Sequence, residues 1–305
     1  MKNLVIIGAG QMGRAAAELV DPNRFRILAF GDNDPKKQAA GQGAAVPVLS
    51  VEEALQSGPD AALISVLGRD RTDALVRQIR EAGFTGAVHC LLDSYELFDV
   101  RSRCIGQLAR RIRQLQIPGS LAELGVYRGD TAWQLNALLP DRKLYLFDTF
   151  EGFDARDVAR EQPQAATGEV SPHAKTGRFA DTSPEAVLAR MPHPQMVEIC
   201  RGYFPESLGK LGGSESDAPA GEAEHFFALV SLDPDLYAPT LAGLEYFYPR
   251  MSPGGAIVVH DYNNLQFEGV KQAVTEFEQA VTKRTGQPLH MVPLADLHGS
   301  CVILR

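Results

Sequence analysis

Twice in this chain a short apolar strand runs straight into a glycine-rich turn, then a helix, then a second strand that ends near an aspartate. In the first copy, Leu4-Val5-Ile6-Ile7 leads into Gly8-Ala9-Gly10-Gln11-Met12-Gly13. A helical stretch follows from Arg14 to Val20, then a strand at Arg26–Phe30, with Asp32 just beyond. In the second copy, Leu121-Ala122-Glu123-Leu124 meets Gly125; a helix is expected over Thr131–Leu138 and a strand over Lys143–Asp148. A helix between two strands returns the chain in its original direction, so each copy is a βαβ unit that seeds a parallel sheet.

Strand and helix patterns go on alternating in both halves. Ser50, with Glu53 three residues on, predicts a capped helix at Val51–Gln56. Further strands are expected at Ala61–Val66 and Ala87–Leu92 in the first half, and at Met196–Cys200, Phe226–Leu232 and Ala256–Val259 in the second. Met251–Gly255 reads as a turn, and Leu289–Val292 with Cys301–Leu304 as a terminal antiparallel pair. The chain has 305 residues, and one core rarely grows past about 250–300 residues. The expected fold is therefore α/β with two Rossmann-like domains, 1–99 and 100–305, joined by a helix over about 100–117.

That helix carries Cys104, Ile105, Leu108, Ile112 and Leu115 at core-facing spacing. Its arginines, Arg101, Arg103, Arg110, Arg111 and Arg113, read as a solvated face. Trp133 reads as core. Residues Glu151–Ala180 form a long loop with little periodicity, and Gly212–Glu224 reads as a flexible surface excursion.

The net charge of −8 argues against a protein that grips nucleic acid by broad phosphate neutralisation. No apolar run approaches the roughly 20 residues of a membrane span, so no membrane partner is expected. The four cysteines, Cys90, Cys104, Cys200 and Cys301, show no CxxC pair, which fits a reducing cytoplasm.

The first glycine turn has the Gly8-x-Gly10-x-x-Gly13 spacing that brings a phosphate to a helix N-terminus, and Asp32 stands where an acid holds a ribose diol. The readings are NAD, another nucleotide such as a nucleotide sugar, or no ligand. No hydride-transfer constellation follows it.

The second turn differs. Glu123 precedes Gly125, and Gly129 is more widely spaced. Carboxylates beside glycines suit S-adenosylmethionine, whose sulfonium and amino group are cationic, with Asp148 placed for the ribose hydroxyls.

Six blocks then become specific: Glu123-Leu124-Gly125-Val126-Tyr127-Arg128-Gly129, Leu146-Phe147-Asp148-Thr149-Phe150-Glu151-Gly152-Phe153, Phe179-Ala180-Asp181-Thr182-Ser183, Gly202-Tyr203-Phe204-Pro205-Glu206-Ser207, Asp233-Pro234-Asp235-Leu236-Tyr237, and Pro253-Gly254-Gly255 through His260-Asp261-Tyr262. Over roughly residues 118–280 their order resembles the macrocin O-methyltransferase-like (TylF-type) family. The resemblance implies a class I SAM-dependent methyltransferase fold in the C-terminal domain. It also implies magnesium-dependent transfer to a hydroxyl, often on a sugar.

The resemblance adds Tyr127, Thr149, Phe150, Asp181 and Ser183 as cofactor contacts. The residues read alone also allow Tyr127 and Phe150 as core, and Asp181-Thr182-Ser183 as a helix cap. Asp233, His260 and Asp261, each just past a strand, are the expected catalytic and metal-ligating residues. Asp235 is either a further ligand or a helix cap. Where the family usually shows two adjacent acids, this chain has His260-Asp261, which suits Mn²⁺, Fe²⁺ or Zn²⁺ better than two acids do. The expected partners are a small-molecule acceptor, a sugar or nucleotide sugar, and further copies of this chain in a homo-oligomer. A bifunctional or NAD-dependent oxidoreductase and a non-catalytic SAM- or nucleotide-binding protein are the alternatives.

Overall fold

In the computed structural model, residues 1–164, 168–210 and 226–305 are described. Gly212–Glu224 lies outside them. The chain divides into two compact units, one comprising Met1–Asp99 with Ala295–Leu297, the other Val100–Leu294 with His298–Arg305.

The first unit is built on β1 (Lys2–Ile7), β2 (Phe25–Gly31), β3 (Val48–Leu49), β4 (Ala61–Ile64) and β5 (Ala87–Cys90), all parallel, in the order β3-β2-β1-β4-β5. Alternate residues of β1 enter two cores, Val5 and Ile7 on one face and Leu4 and Ile6 on the other. Burial on both faces is what a parallel sheet sandwiched by helices requires. The helix Val51–Gln56 starts on a complete capping box between Ser50 and Glu53. The expected strand over Ala87–Leu92 stops at Cys90, and Leu91–Leu97 is helical. An apolar run of this length carries no period that separates strand from helix.

The second unit contains β6 (Ser120–Leu124), β7 (Leu144–Asp148), β8 (Val197–Arg201), β9 (Phe227–Leu232), β10 (Met251–Val259), β11 (His290–Pro293) and β12 (Cys301–Leu304). Their order is β11-β12-β10-β9-β6-β7-β8, with β12 antiparallel to both its neighbours. Met251–Gly255, expected as a turn, is drawn into β10 as an irregular start, with the register against β9 shifting between Met251 and Ala256. The helix Val100–Gln114 belongs to this unit and buries Ile105, Ala109 and Ile112. Leu115 falls past its end and is exposed. Trp133, expected in the core, is also exposed, 47% of its surface being accessible. Among the described residues, no helix is long and apolar enough to cross a membrane.

Candidate functional site

Ligands of open parallel sheets gather at the carboxyl edge of the strands. In the second unit that edge holds Glu123 in β6, Asp148 at the end of β7, Asp233 directly after β9, and His260 and Asp261 directly after β10. Because β12 runs the other way, its amino end lies at the same edge. Val259 pairs with Cys301, and this brings the turn His298-Gly299-Ser300 beside His260. His260 Nδ1 lies 3.0 Å from Ser300 Oγ. The His260 and His298 ring centres are 5.2 Å apart.

Gly125 has φ of +83°, and a Cβ there would sit 2.2 Å from the carbonyl oxygen of Asp233. Only glycine lets this turn press against the end of β9. Asp148 then fixes the turn from the other side. Its Oδ2 accepts from the backbone N–H of Val126 (2.7 Å) and Tyr127 (3.0 Å), and its Oδ1 from that of Phe150 (2.7 Å). A carboxylate offers about four acceptor positions, so one remains for a ligand hydroxyl. The acid read from sequence as a ribose acceptor thus serves the loop first.

The pocket beside this loop is lined by Gly125, Tyr127, Asp148, Thr149, Phe179, Asp233 and Asp235, among others. Tyr127 (φ 49°), Phe179 (68°) and Asp235 (61°) all hold left-handed backbone. Non-glycine residues visit that region rarely, and such strain gathers where a site demands it.

Glu123 is 2% exposed, and its Oε2 has no hydrogen-bond partner among the described residues. Burial, and then the neighbouring Asp233 carboxylate, push its pKa well above the ordinary glutamate range. A buried acceptor without a donor is costly, and a ligand ammonium would complete it.

Besides the buried Glu123, four expected cofactor contacts are not among the residues lining the pocket. Gly129 ends the turn as the N-cap of the helix Asp130–Leu138 and packs against Val187. Phe150 lies in the apolar core with Val126 and Leu146. Asp181 is exposed and paired with Arg128. Ser183 Oγ accepts from Ala186 N–H at 3.1 Å as the N-cap of the helix Pro184–Arg190. The physical reason is the same in each case: a cap, an ion pair or the core already uses the side chain or the turn.

The expected trio of Asp233, His260 and Asp261 is found as two overlapping groups that share Asp261. Asp233, Asp235 and Asp261 offer oxygens within 4.8 Å of one another, and His260, Asp261 and His298 offer ligand atoms within the same limit. Asp235 does not cap the next helix, whose N-cap is Leu236. Burial, reinforced by Asp261 and Asp233, pushes the Asp235 carboxyl well up. For Asp233, burial acts in the same direction but is outweighed by His260 and by Arg101, which hold it below the ordinary aspartate range.

Arg101 Nη1 donates to Asp233 Oδ2 at 2.6 Å, and both side chains are about four-fifths buried, with 19% and 20% exposed. The sequence reading put Arg101 on a solvated face. The corrective signal was present: Arg101 precedes Ile105 by four residues and so shares its buried face. His298 left no motif, but the expected antiparallel pairing of Cys301–Leu304 places it here.

Residues 99–295 match the family Macrocin-O-methyltransferase (TylF). The chain belongs to this family. A 28% identical relative from Streptomyces olivaceus is an 8-demethyl-8-(2,3-dimethoxy-alpha-L-rhamnosyl)-tetracenomycin-C 4'-O-methyltransferase; the match covers 62% of this chain and 66% of that one. The Demethyldecarbamoylnovobiocin O-methyltransferase of Streptomyces niveus is 28% identical over 53% of this chain and 58% of its own. The Mycinamicin III 3''-O-methyltransferase of Micromonospora griseorubida is 25% identical over 62% and 72%. The chain thus spans under two thirds of the length of the first two relatives. The solved O-methyltransferase NovP superposes with a TM-score of 0.51 at 22% identity, over 67% of this chain and 79% of its own, and shares the fold.

The first glycine turn lies outside the family match. Ser65 Oγ donates to the carbonyl oxygens of Ile7 and Gly8, both at 3.0 Å. Asp32 is occupied much as Asp148 is: Oδ2 accepts from Ala9 N–H (2.8 Å) and from Lys37 Nζ (3.0 Å), and Oδ1 from Asp34 N–H (3.0 Å). The acid expected to hold a ribose diol therefore clamps its own turn, with an ammonium group beside Gly10.

Proposed function

We propose that this chain transfers the methyl group of S-adenosylmethionine to a hydroxyl of a sugar or sugar-bearing metabolite, with a divalent cation assisting. The observation that carries the reading is that Asp233 and Asp235 line one pocket with Gly125, Tyr127, Asp148 and Thr149, and that Asp261 offers an oxygen within 4.8 Å of theirs. The names of the relatives, two of which specify a methylated hydroxyl position, support the acceptor class.

Glu123, Gly125, Tyr127, Asp148 and Thr149 would hold S-adenosylmethionine, which supplies an electrophilic methyl group. The orphaned Glu123 Oε2 fits its ammonium. Asp233, His260 and Asp261 would hold Mg²⁺ or another divalent ion, which lowers the pKa of a coordinated hydroxyl. The side chains of this cluster would orient the acceptor hydroxyl toward the cofactor pocket, and one of the carboxylates, or His260 where it does not hold the ion, would take its proton.

The test is S-adenosylmethionine consumption over a panel of sugars and nucleotide sugars, with and without EDTA. Turnover that EDTA abolishes is expected, and Asp233→Asn should lower it on the order of 100-fold. An Asp233→Asn protein as active as the parent removes the metal reading. Cofactor binding with no transfer to any acceptor replaces the enzyme by a binding protein.

The first unit is proposed to bind a nucleotide-linked sugar at Gly8, Gly10 and Gly13, with Lys37 facing the phosphates. Calorimetry on the full chain tests this. A response to nucleotide sugars is expected; a response to NAD alone favours the oxidoreductase reading, and no response to either withdraws the site.

A further inference from the structure

We infer that His260, His298 and Asp261 form a two-histidine, one-carboxylate site for a d-block divalent cation, distinct in chemistry from the all-oxygen group of Asp233, Asp235 and Asp261. The inference keeps His260 and Asp261 of the proposed ion site and puts His298 in place of Asp233; it rests on the proposed function only in placing the ion beside the acceptor, and the ion's binding stands or falls by itself.

The ligand chemistry is the first ground. Imidazole nitrogens favour Zn²⁺, Mn²⁺, Fe²⁺ and Co²⁺ over Mg²⁺, which prefers six oxygens. His260 Nε2 and Asp261 Oδ1 stand 3.5 Å apart. Two ligands bound at roughly 2.1 Å and separated by a tetrahedral angle stand about 3.4 Å apart, so this pair already has the spacing of neighbours on one ion. All three ligand atoms lie within 4.8 Å of one another, so an ion needs to draw the third in by a small side-chain rotation. Three protein ligands leave open positions for acceptor oxygens.

The site is also braced. Ser300, fully buried, contacts His260 Nδ1 at 3.0 Å. A hydrogen bond at that nitrogen leaves Nε2 to present its lone pair toward Asp261. The remaining lobe of Asp261 Oδ1 is steadied by Asn264 Nδ2, which donates to it at 2.6 Å. The turn that carries His298 is pinned as well. Asn263 N–H donates to the Gly299 carbonyl at 2.8 Å. Gly299 has φ of +69°, and a Cβ on it would meet Asn263 at 2.6 Å. A turn held this closely fixes where His298 stands.

The rival all-oxygen group is compromised by a cation that the chain itself supplies. Arg101 already pairs with Asp233 at 2.6 Å, so a metal there would have to displace a four-fifths-buried guanidinium or share its carboxylate.

The test uses the full chain stripped with chelator and titrated with Co²⁺, whose visible d–d absorption reports nitrogen ligation, alongside calorimetry with Zn²⁺ and Mg²⁺. One Co²⁺ per chain is expected, with Zn²⁺ binding at least 100-fold tighter than Mg²⁺. His298→Ala should remove the d–d bands and weaken Co²⁺ at least 100-fold. Ser300→Ala should weaken it about 10-fold, and Asp235→Asn should leave the bands in place. Thermal unfolding of each metal-free variant confirms that it folds; His298 sits on a turn and is only partly buried.

The inference is overturned if Asp235→Asn abolishes binding while His298→Ala does not, if Mg²⁺ binds as tightly as Zn²⁺, or if no metal binds. Metal binding without methyl transfer to any acceptor leaves the site standing and removes the proposed function. Methyl transfer that is indifferent to EDTA, with no Co²⁺ bands, removes this site and the cation from the proposed function and leaves the methyl transfer itself standing.

Discussion

Glu123 concentrates the electrostatic argument of the second unit in one side chain. Its carboxyl is buried, lies near the Asp233 carboxylate and has one oxygen unsatisfied. Its pKa in the folded chain is raised above the ordinary 4.5, so folding takes up a proton once the unfolded chain has released it. The stability this group allows is complete below about pH 4.5 and falls as pH rises through the raised folded value. Glu123→Gln should therefore flatten the decline in melting temperature between pH 5 and pH 8 for the ligand-free protein. The same change removes the charge proposed to meet the cofactor ammonium, so calorimetry should show S-adenosylmethionine binding about 10–100-fold weaker, the equivalent of one charged hydrogen bond. Unchanged affinity together with an unchanged pH slope would sink both halves of the argument. Glu123, Gly125, Asp148, Asp233 and Asp261 were legible in the sequence because each stands within a residue or two of a strand end, where motif and geometry coincide. Arg101 and His298 were legible only indirectly, through helix spacing and the antiparallel pairing, because a helix face and an antiparallel strand deliver them across sequence distances that no local motif spans.

At the scale of elements, both units use one device: an aspartate at or just past the end of the second strand ties down the glycine turn after the first. Asp32 accepts from Ala9 N–H, and Asp148 from Val126 and Tyr127 N–H. A glycine turn left to itself is conformationally loose, and a carboxylate collecting its N–H groups fixes it with charge-assisted bonds. Burial would raise the pKa of Asp32, but the N–H groups of Ala9 and Asp34 and the ammonium of Lys37 outweigh it and hold the carboxyl below 3.8. The stability it contributes is thus present above pH 3.8 and is lost as pH falls through the lowered folded value. Asp32→Asn should cost about 1.5–3 kcal/mol at pH 7, and the gap to the parent should narrow below about pH 3.8. Thermal unfolding followed by circular dichroism at both pH values measures it, and a gap that stays constant with pH would refute the clamp. Most elements could be read from pattern alone, the Ser50–Glu53 box giving Val51–Gln56 to the residue. The failures share a cause. Leu91 and Leu92 continue the apolar run of β5 without a breaker yet open the helix Leu91–Leu97, and Met251–Gly255 spends turn-forming residues on an irregular strand start. In both places pairing and packing, rather than local preference, decide the outcome.

Across the whole molecule, each unit buries apolar residues on both faces of its own sheet, so each has the means to hold itself together. The alternation of strands and helices made that architecture readable, whereas which unit takes which ligand depends on side chains at the strand ends. Ligand linkage gives a direct way to separate them. A ligand present at about 100 times its dissociation constant adds about 2.7 kcal/mol to whatever structure binds it and nothing to structure that does not. The sole tryptophan, Trp133, belongs to the second unit, so fluorescence is blind to the first and hydrogen exchange on the intact chain is the suitable readout. With S-adenosylhomocysteine as the probe, the amides of β6, β7, β9 and β10 that exchange by global opening should slow about 100-fold, the exchange equivalent of that linkage energy. Those of β1, β2 and β4 should keep their rates. A nucleotide sugar should produce the opposite pattern, slowing β1 and β2 around Gly8 and Asp32. If S-adenosylhomocysteine instead protects β1 and β2 and leaves β6 and β7 unchanged, the cofactor belongs to the first glycine turn, and the assignment of Glu123, Gly125 and Asp148 to it is wrong.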